Sequence, residues 1–102
     1  MSDIKGTLSI CRRAGKLIGG MDEVKASCRK KEAQCVLITS DFSEKSRSEI
    51  AFECERTKTP MLDIPDTMFD IAETVGKRYG VMSVTDKGFA KAIMKKLNYA
   101  EK

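Results

Sequence analysis

The stretch that decides the fold is GKLIGGMDEVKASCRKK, residues 15–31. A short apolar segment, residues 16–19, leads through two glycines into an amphipathic, lysine-rich run, which predicts a strand, a tight turn and a helix over residues 21–31. Asp22 and Glu23 stand where acidic residues favour the start of a helix. Because glycine leaves backbone amides unobstructed and a first helical turn has free N–H groups, this junction is suited to an anion.

Helical and strand patterns alternate through the rest of the chain. Residues 35–39, CVLIT, form a continuous apolar run of strand length and predict a central, buried strand. Shorter strands are predicted over residues 61–64 and 81–84. This alternation predicts a three-layer α/β/α sandwich with a small, about four-stranded mixed sheet. A chain of 102 residues has room for one core, so residues 1–102 are predicted to be a single domain.

Capping residues and apolar spacing predict where the helices begin and which faces they bury. Phe69, Ala72 and Val75 lie at helical spacing and predict the buried face of a fourth helix, which Gly76 ends. The predicted N-terminal caps of four helices are Ser2 or Asp3 for the first, Asp41 in a capping box with Glu44 for the third, Asp66 for the fourth and Asp86 for the last.

Composition excludes several classes of protein. No apolar run approaches the roughly 20 residues of a membrane span, and residues 1–6 lack the hydrophobic region of a signal peptide, so we expect a cytoplasmic protein without membrane contact. The four cysteines have neither the spacing of a disulfide framework nor a Cys-x-x-Cys pair, which predicts reduced core thiols. The chain has no histidine. We therefore expect no metal and no cofactor, and the lack of histidine, the commonest general base, makes an enzyme a less favoured hypothesis.

Charge is unevenly distributed along the chain. Residues 1–31 carry 8 Lys/Arg and 3 Asp/Glu, residues 32–76 carry 4 and 10, and residues 77–102 carry 7 and 2. If the two basic ends converge and the acidic middle faces away, the protein presents a basic surface to a polyanion. In the simpler interpretation, lysines solvate helix faces.

Two nucleotide-binding motifs fail in detail. A phosphate loop of the Walker type needs glycine where Ile10 stands and Ser or Thr where Leu17 stands. The spacing of Gly15, Gly19 and Gly20 does not fit the dinucleotide fingerprint. An enzyme that acts on a nucleotide is therefore a weak hypothesis.

The residues around the junction suit an RNA surface better. Lys25 and Arg29 are one helical turn apart and could bind phosphates or base edges, and Asp22 could accept from guanine N–H groups. The basic loop KRY, residues 77–79, contains Tyr79, whose ring is predicted either to be half-buried on the surface or to stack on an unpaired base.

Motifs spread over nearly the whole chain resemble the kink-turn RNA-binding ribosomal protein superfamily, and most closely its small bacterial ribosomal-protein-like members. They are RAGK at residues 13–16, Gly19, the helix that begins at Met21 and contains Lys25-Ala26, CVLITSD at residues 35–41, Cys54-Glu55, Pro60 and VTDKGFAK at residues 84–91. The last stretch is the most specific of these.

The resemblance implies an α/β/α sandwich, no catalysis, and binding to a sharply bent RNA internal loop. In that family the RNA surface comprises the glycine-containing junction, the start of the second helix, and the loop before the last strand. The predicted RNA-binding residues of this chain are Lys16, Gly19, Gly20, Met21, Asp22, Lys25, Arg29, Lys77, Arg78 and Tyr79.

Two positions depart from the family pattern. Met21-Asp22 stands where an Asn-Glu pair reads tandem sheared G·A pairs, and Ile18 replaces a usual lysine. Methionine cannot make the hydrogen bonds of asparagine, which bears on base reading and leaves phosphate binding intact. The predicted function is non-enzymatic docking on structured, kink-turn-like RNA, with ribosomal RNA or the ribosome as the partner and no DNA. The alternative is a protein-interaction module of the same fold, which an exposed apolar patch at Ile18 and Met21 would favour.

Overall fold

Helices and strands alternate along residues 4–98, the part of the chain that the computed structural model describes. In chain order the elements are α1 Lys5–Arg13, β1 Leu17–Gly19, α2 Met21–Arg29, β2 Cys35–Ile38, α3 Glu44–Thr57, β3 Met61–Asp63, α4 Met68–Val75, β4 Val81–Val84 and α5 Lys87–Lys96.

The four strands form one mixed sheet in the order β1-β4-β2-β3. Strand β4 pairs antiparallel with both β1 and β2, whereas β2 and β3 are parallel. The predicted mixed sheet is therefore confirmed.

Both central strands are buried along their whole length because helices cover both faces of the sheet. Cys35 and Leu37 of β2 point into a core cluster shared with α1, α4 and α5. Val36 and Ile38, which point the other way, join a second cluster with α2 and α3. The continuous apolar run thus becomes a strand with two buried faces, and the predicted three-layer sandwich is confirmed.

Two helices begin at residues other than those predicted. Ser43 caps α3, since its side chain accepts a hydrogen bond from the Ser46 backbone N–H. The Asp41 carboxylate instead accepts from the Met68 N–H and ties this loop to the start of α4. Helix α4 is capped by Thr67, not Asp66, because only Thr67 completes a capping box with Asp70.

The other predicted caps had different outcomes. Asp86 is confirmed, since its carboxylate accepts from the Phe89 N–H at 2.9 Å. The predicted cap at Ser2 or Asp3 lies outside the described residues. Gly76 ends α4 in the left-handed conformation, as predicted.

The predicted buried face of α4 is partly wrong. Val75 is buried, but it shares the inner face with Ile71, and the Phe69 side chain is 60% exposed. Residues two apart on a helix are separated by about 200° around its axis. Once Ile71 faces the sheet, Phe69 must therefore face solvent.

The two basic ends of the chain converge, which meets the first condition for a shared basic surface. Helices α1 and α5 pack side by side, and Lys96 Nζ donates to Thr7 Oγ1 at 3.1 Å. The second condition, that the acidic middle faces away, is not met by α3. Glu49 and Glu53 of this helix lie against Lys25 and Arg29 of α2, because both helices cover the same face of the sheet.

The cysteines are core residues, as predicted. All four are buried and none forms a disulfide. Between residues 4 and 98, no helix combines the length and the apolar character that crossing a membrane requires.

Thr67→Ala should lower the free energy of unfolding by about 1 kcal/mol, because the first turn of α4 loses its capping box. Urea denaturation measures this loss. Glu73→Ala changes an exposed residue of the same helix and should stay within about 0.5 kcal/mol of the parent protein. Equal effects of the two substitutions would contradict the assignment of the cap.

Candidate nucleic-acid interface

Two segments far apart in the sequence meet at one end of the sheet. Antiparallel pairing sets Gly19, the last residue of β1, opposite Met82 in β4. The turn from β1 into α2 therefore lies beside the point where β4 begins, and residues 77–80 lead directly into that point. The glycine junction and the basic loop are brought together, as an RNA surface built from both would need.

Gly20 makes the turn into α2. Its φ of 101° and ψ of 147° lie in a region that is almost restricted to glycine. Its N–H donates to the Val81 carbonyl at 3.2 Å, and its carbonyl accepts from the Val24 N–H at 2.9 Å. The N-terminus of α2 has no side-chain cap, and Asp22 is exposed in its first turn. This leaves the start of α2 open to an external acceptor.

The ring of Tyr79 lies directly against the backbone of Gly19. A Cβ atom on Gly19 would overlap the ring atoms of Tyr79, so only glycine permits this approach. Tyr79 is half-buried and also packs on the cluster of α1, α4 and α5. The ring therefore fixes the basic loop to the glycine junction.

A second aromatic contact braces the same loop, and the sequence did not reveal it. The ring of Phe42 covers Gly80, where a Cβ atom would overlap the phenyl carbons. Thr39 donates to the Gly80 carbonyl from its backbone N–H at 3.0 Å and from its hydroxyl at 3.3 Å. Glycine next to an aromatic in a basic loop was the available signal, but the partner is 38 positions away in the sequence.

The predicted cations fall into three places. Lys77 and Arg78 are exposed beside the junction. Lys16 is exposed at the opposite end of β1, about 10 Å along the strand from Gly19. Lys25 and Arg29 lie on α2 where it faces α3.

Arg29 and Lys25 are engaged in ion pairs within the protein. Arg29 donates to Glu53 Oε1 from Nε at 3.2 Å and from Nη2 at 3.0 Å, and Arg56 donates to Glu53 Oε2 at 3.2 Å. Lys25 Nζ lies 3.9 Å from Glu49 Oε1. The hydrogen bonds from Arg29 lower the pKa of Glu53, burial opposes this shift, and Arg56 reinforces it.

Ile18 and Met21 do not form an exposed apolar patch. Both are partly buried and pack on the core cluster beneath α2 and α3. Met21 thus helps to seat the first turn of α2 on the sheet. The feature that would favour a protein-interaction module is missing at this position.

The sequence matches the model of one protein family. The match spans residues 2–94 and is to the ribosomal protein L7Ae/L30e/S12e/Gadd45 family. The chain belongs to this family. The resemblance seen in the sequence motifs is confirmed at this level.

Proteins similar to this chain include two named relatives and one solved structure. The RNA-binding protein YlxQ of Enterococcus faecium is 29% identical over 84 residues, which cover 82% of this chain and 81% of that protein. The RNA-binding protein YlxQ of Bacillus subtilis is 29% identical over 92 residues, which cover 89% and 91%. A Bacillus halodurans protein described as having unknown function shares the fold, with a TM-score of 0.87, 18% identity and coverage of 96% of this chain and 99% of that one.

Gly19→Ala should destabilise this family member by about 1–3 kcal/mol, because the added methyl group displaces the Tyr79 ring. In a Tyr79→Ala background the same substitution should cost much less, since its clash partner is gone. A double-mutant cycle of urea denaturation measures this coupling. Gly6→Ala, at a helical site with open space around it, should be neutral or stabilising. Additive effects of Gly19→Ala and Tyr79→Ala would contradict the contact.

Glu53→Gln should destabilise the protein by about 1–2 kcal/mol at pH 7, because two guanidinium groups lose their buried carboxylate. The folded-state pKa of Glu53 lies below its ordinary value of 4.5, so this stabilisation is complete above pH 4.5 and is lost as the pH falls through the lower value.

The difference in unfolding free energy between Glu53→Gln and the parent should therefore be full at pH 7 and shrink as the pH falls below 4.5. Chemical denaturation across this range measures it. Glu55→Gln, an exposed neighbour on α3, is the control and should show little effect at either pH. A difference that does not change with pH would contradict the role of the Glu53 charge.

Proposed function

We propose that this protein is a non-enzymatic, cytoplasmic RNA-binding protein that docks on structured, kink-turn-like RNA, with ribosomal RNA as the expected target. The observation that carries the proposal is the contact of Tyr79 on Gly19, which joins the glycine junction and the basic loop into one surface. Membership of the L7Ae/L30e/S12e/Gadd45 family and the names of the two YlxQ relatives support it.

The joined surface has the chemistry of a phosphate site. The uncapped first turn of α2 offers backbone N–H groups and the positive end of a helix dipole. Lys77 and Arg78 are exposed next to it and supply positive charge without an internal ion pair in the described part of the chain. Gly19 and Gly20 add no side chain of their own to this surface, which the Tyr79 ring covers at Gly19 and the Glu23 carboxylate approaches at Gly20.

Recognition at this surface would depend on RNA shape more than on base hydrogen bonds. Met21 packs against the core and has no group that could read a base. Asp22 is exposed and can accept from the N–H groups of an unpaired or sheared guanine. A sharply bent backbone would place phosphates on both the α2 turn and the basic loop, which a straight duplex would not do.

The protein-interaction module remains the alternative function, but the burial of Ile18 and Met21 weakens it. We expect neither DNA nor a membrane as a partner. The two functions differ in a simple observation: only the RNA-binding protein should show an affinity for RNA that falls with salt and depends on the basic loop.

The double variant Lys77→Ala/Arg78→Ala should bind a kink-turn RNA about tenfold more weakly than the parent, because two phosphate contacts are lost. Its plot of log affinity against log salt should also be shallower, by about one unit for each cation removed. Fluorescence anisotropy with a labelled RNA, measured from 50 to 200 mM salt, gives both quantities.

Two controls define this experiment. Lys87→Ala removes an exposed charge at the far end of the sheet, beyond the end of β4, and should leave affinity unchanged. A second RNA, in which Watson–Crick pairs replace the sheared G·A pairs, should bind more weakly than the kink-turn RNA. If the Lys77→Ala/Arg78→Ala variant binds RNA as tightly as the parent, the proposed surface is wrong. Equal affinity of the parent for the two RNAs would contradict the preference for kink-turn RNA.

A further inference from the structure

A groove of about 490 Å³ lies between α2 and α3. It combines three cations, two carboxylates and an exposed aromatic ring. Its lining residues are Lys25, Arg29, Ser48, Glu49, Phe52, Glu53 and Arg56.

We propose that this groove binds an unpaired nucleotide of the RNA, with the base stacked on Phe52 and the flanking phosphates on Arg29 and Arg56. The proposal rests on the proposed RNA-binding function and extends it by a second contact. It gives an RNA-binding role to Phe52 and Arg56, which are not part of the glycine junction or the basic loop.

The two arginines are held in place by a buried carboxylate. The Glu53 side chain is only 5% exposed, and its two oxygens accept hydrogen bonds from Arg29 and Arg56 respectively. The arginine side chains nevertheless remain 57% and 58% exposed. A guanidinium has five N–H donors, of which Glu53 uses two on Arg29 and one on Arg56, so both retain donors for phosphate oxygens. Because the groups are already fixed, binding loses less side-chain entropy.

Phe52 supplies the stacking surface. It is 69% exposed although it is a large apolar side chain, and it directly precedes Glu53 on α3. Proteins that bind single-stranded nucleic acid combine aromatic rings with positive charge. The flat faces of the bases stack on the rings, and the negative phosphates of the backbone bind the cations. Phe69, the other exposed phenylalanine, lies on α4 across the sheet.

The groove continues the proposed junction surface along one face of α2. Met21, Lys25 and Arg29 follow one another at intervals of four residues, about 6 Å per step, so Arg29 lies about 12 Å from the start of the helix. An RNA strand that leaves the junction along α2 reaches the groove after a short single-stranded segment. This continuity favours RNA over an acidic peptide, which would use the cations but has no need to start at the junction.

Anisotropy titrations with two RNAs test the proposal. One is the kink-turn RNA alone, and the other carries a four-nucleotide single-stranded extension, placed on either strand in turn. The parent protein should bind one of the extended RNAs about tenfold more tightly than the short one. Phe52→Ala should remove this gain without changing affinity for the short RNA, and Phe52→Tyr should keep it. Phe69→Ala, which removes an exposed ring on the opposite face, should behave as the parent.

Each contrary outcome has a distinct meaning. If Phe52→Ala binds every RNA as the parent does while Lys77→Ala/Arg78→Ala still binds weakly, the groove proposal is overturned and the proposed function stands. If the parent binds neither RNA, both are overturned. If a poly-glutamate peptide binds the groove in a manner that requires Arg56 and the RNA extension adds no affinity, the site serves an acidic peptide instead. Thermal unfolding confirms that the exposed-site variants are folded.

Discussion

The antiparallel pairing of β4 with both of its neighbours is the constraint on which the rest of the structure depends. Strand β4 is buried on both faces and bonded along both edges, so its register fixes the positions of β1 and β2. The same pairing sets Gly19 beside the start of β4 and therefore beside the loop of Lys77 and Arg78. The strand at the centre of the core therefore also positions the basic loop of the candidate interface, because the loop leads directly into β4.

Helix α2 connects the two parts of the proposed RNA surface. The residue before its first turn has backbone angles that are almost restricted to glycine, and Gly20 supplies them. Its last turn is held to α3 through the ion pair of Arg29 with Glu53. A buried carboxylate between two arginines stabilises the helix pair only while all three groups are present, because loss of one partner leaves charge without compensation. The groove thus combines a structural ion-pair network with an exposed face that retains hydrogen-bond donors. A loss of RNA affinity in an Arg29 variant would consequently mix the two roles, whereas Phe52 and Arg78 separate them.

Much of the fold was predictable because local signals agreed with tertiary packing. The run CVLIT became a central strand, and the apolar positions Leu8, Val24 and Ile93 became core residues. Errors arose where two neighbouring residues were chemically suited to one role. At the start of α4, threonine and aspartate are adjacent candidates, and only the position of Asp70 three residues after Thr67 decides between them. On the same helix, two overlapping apolar spacings were possible, and contact with the sheet selected the one that leaves Phe69 in solvent.

The sequence by itself determined the order of the elements, the buried strands, the family resemblance and the glycine junction, because these depend on residue spacing and local conformation. The tertiary structure alone decided which distant groups meet. Tyr79 lies on Gly19 and Phe42 on Gly80 because antiparallel strands bring their ends together, and no local pattern encodes that register. The carboxylate of Glu53 faces Arg29 for a similar reason: α2 and α3 cover the same side of the sheet, and their facing charges depend on helix rotation that is set by the core.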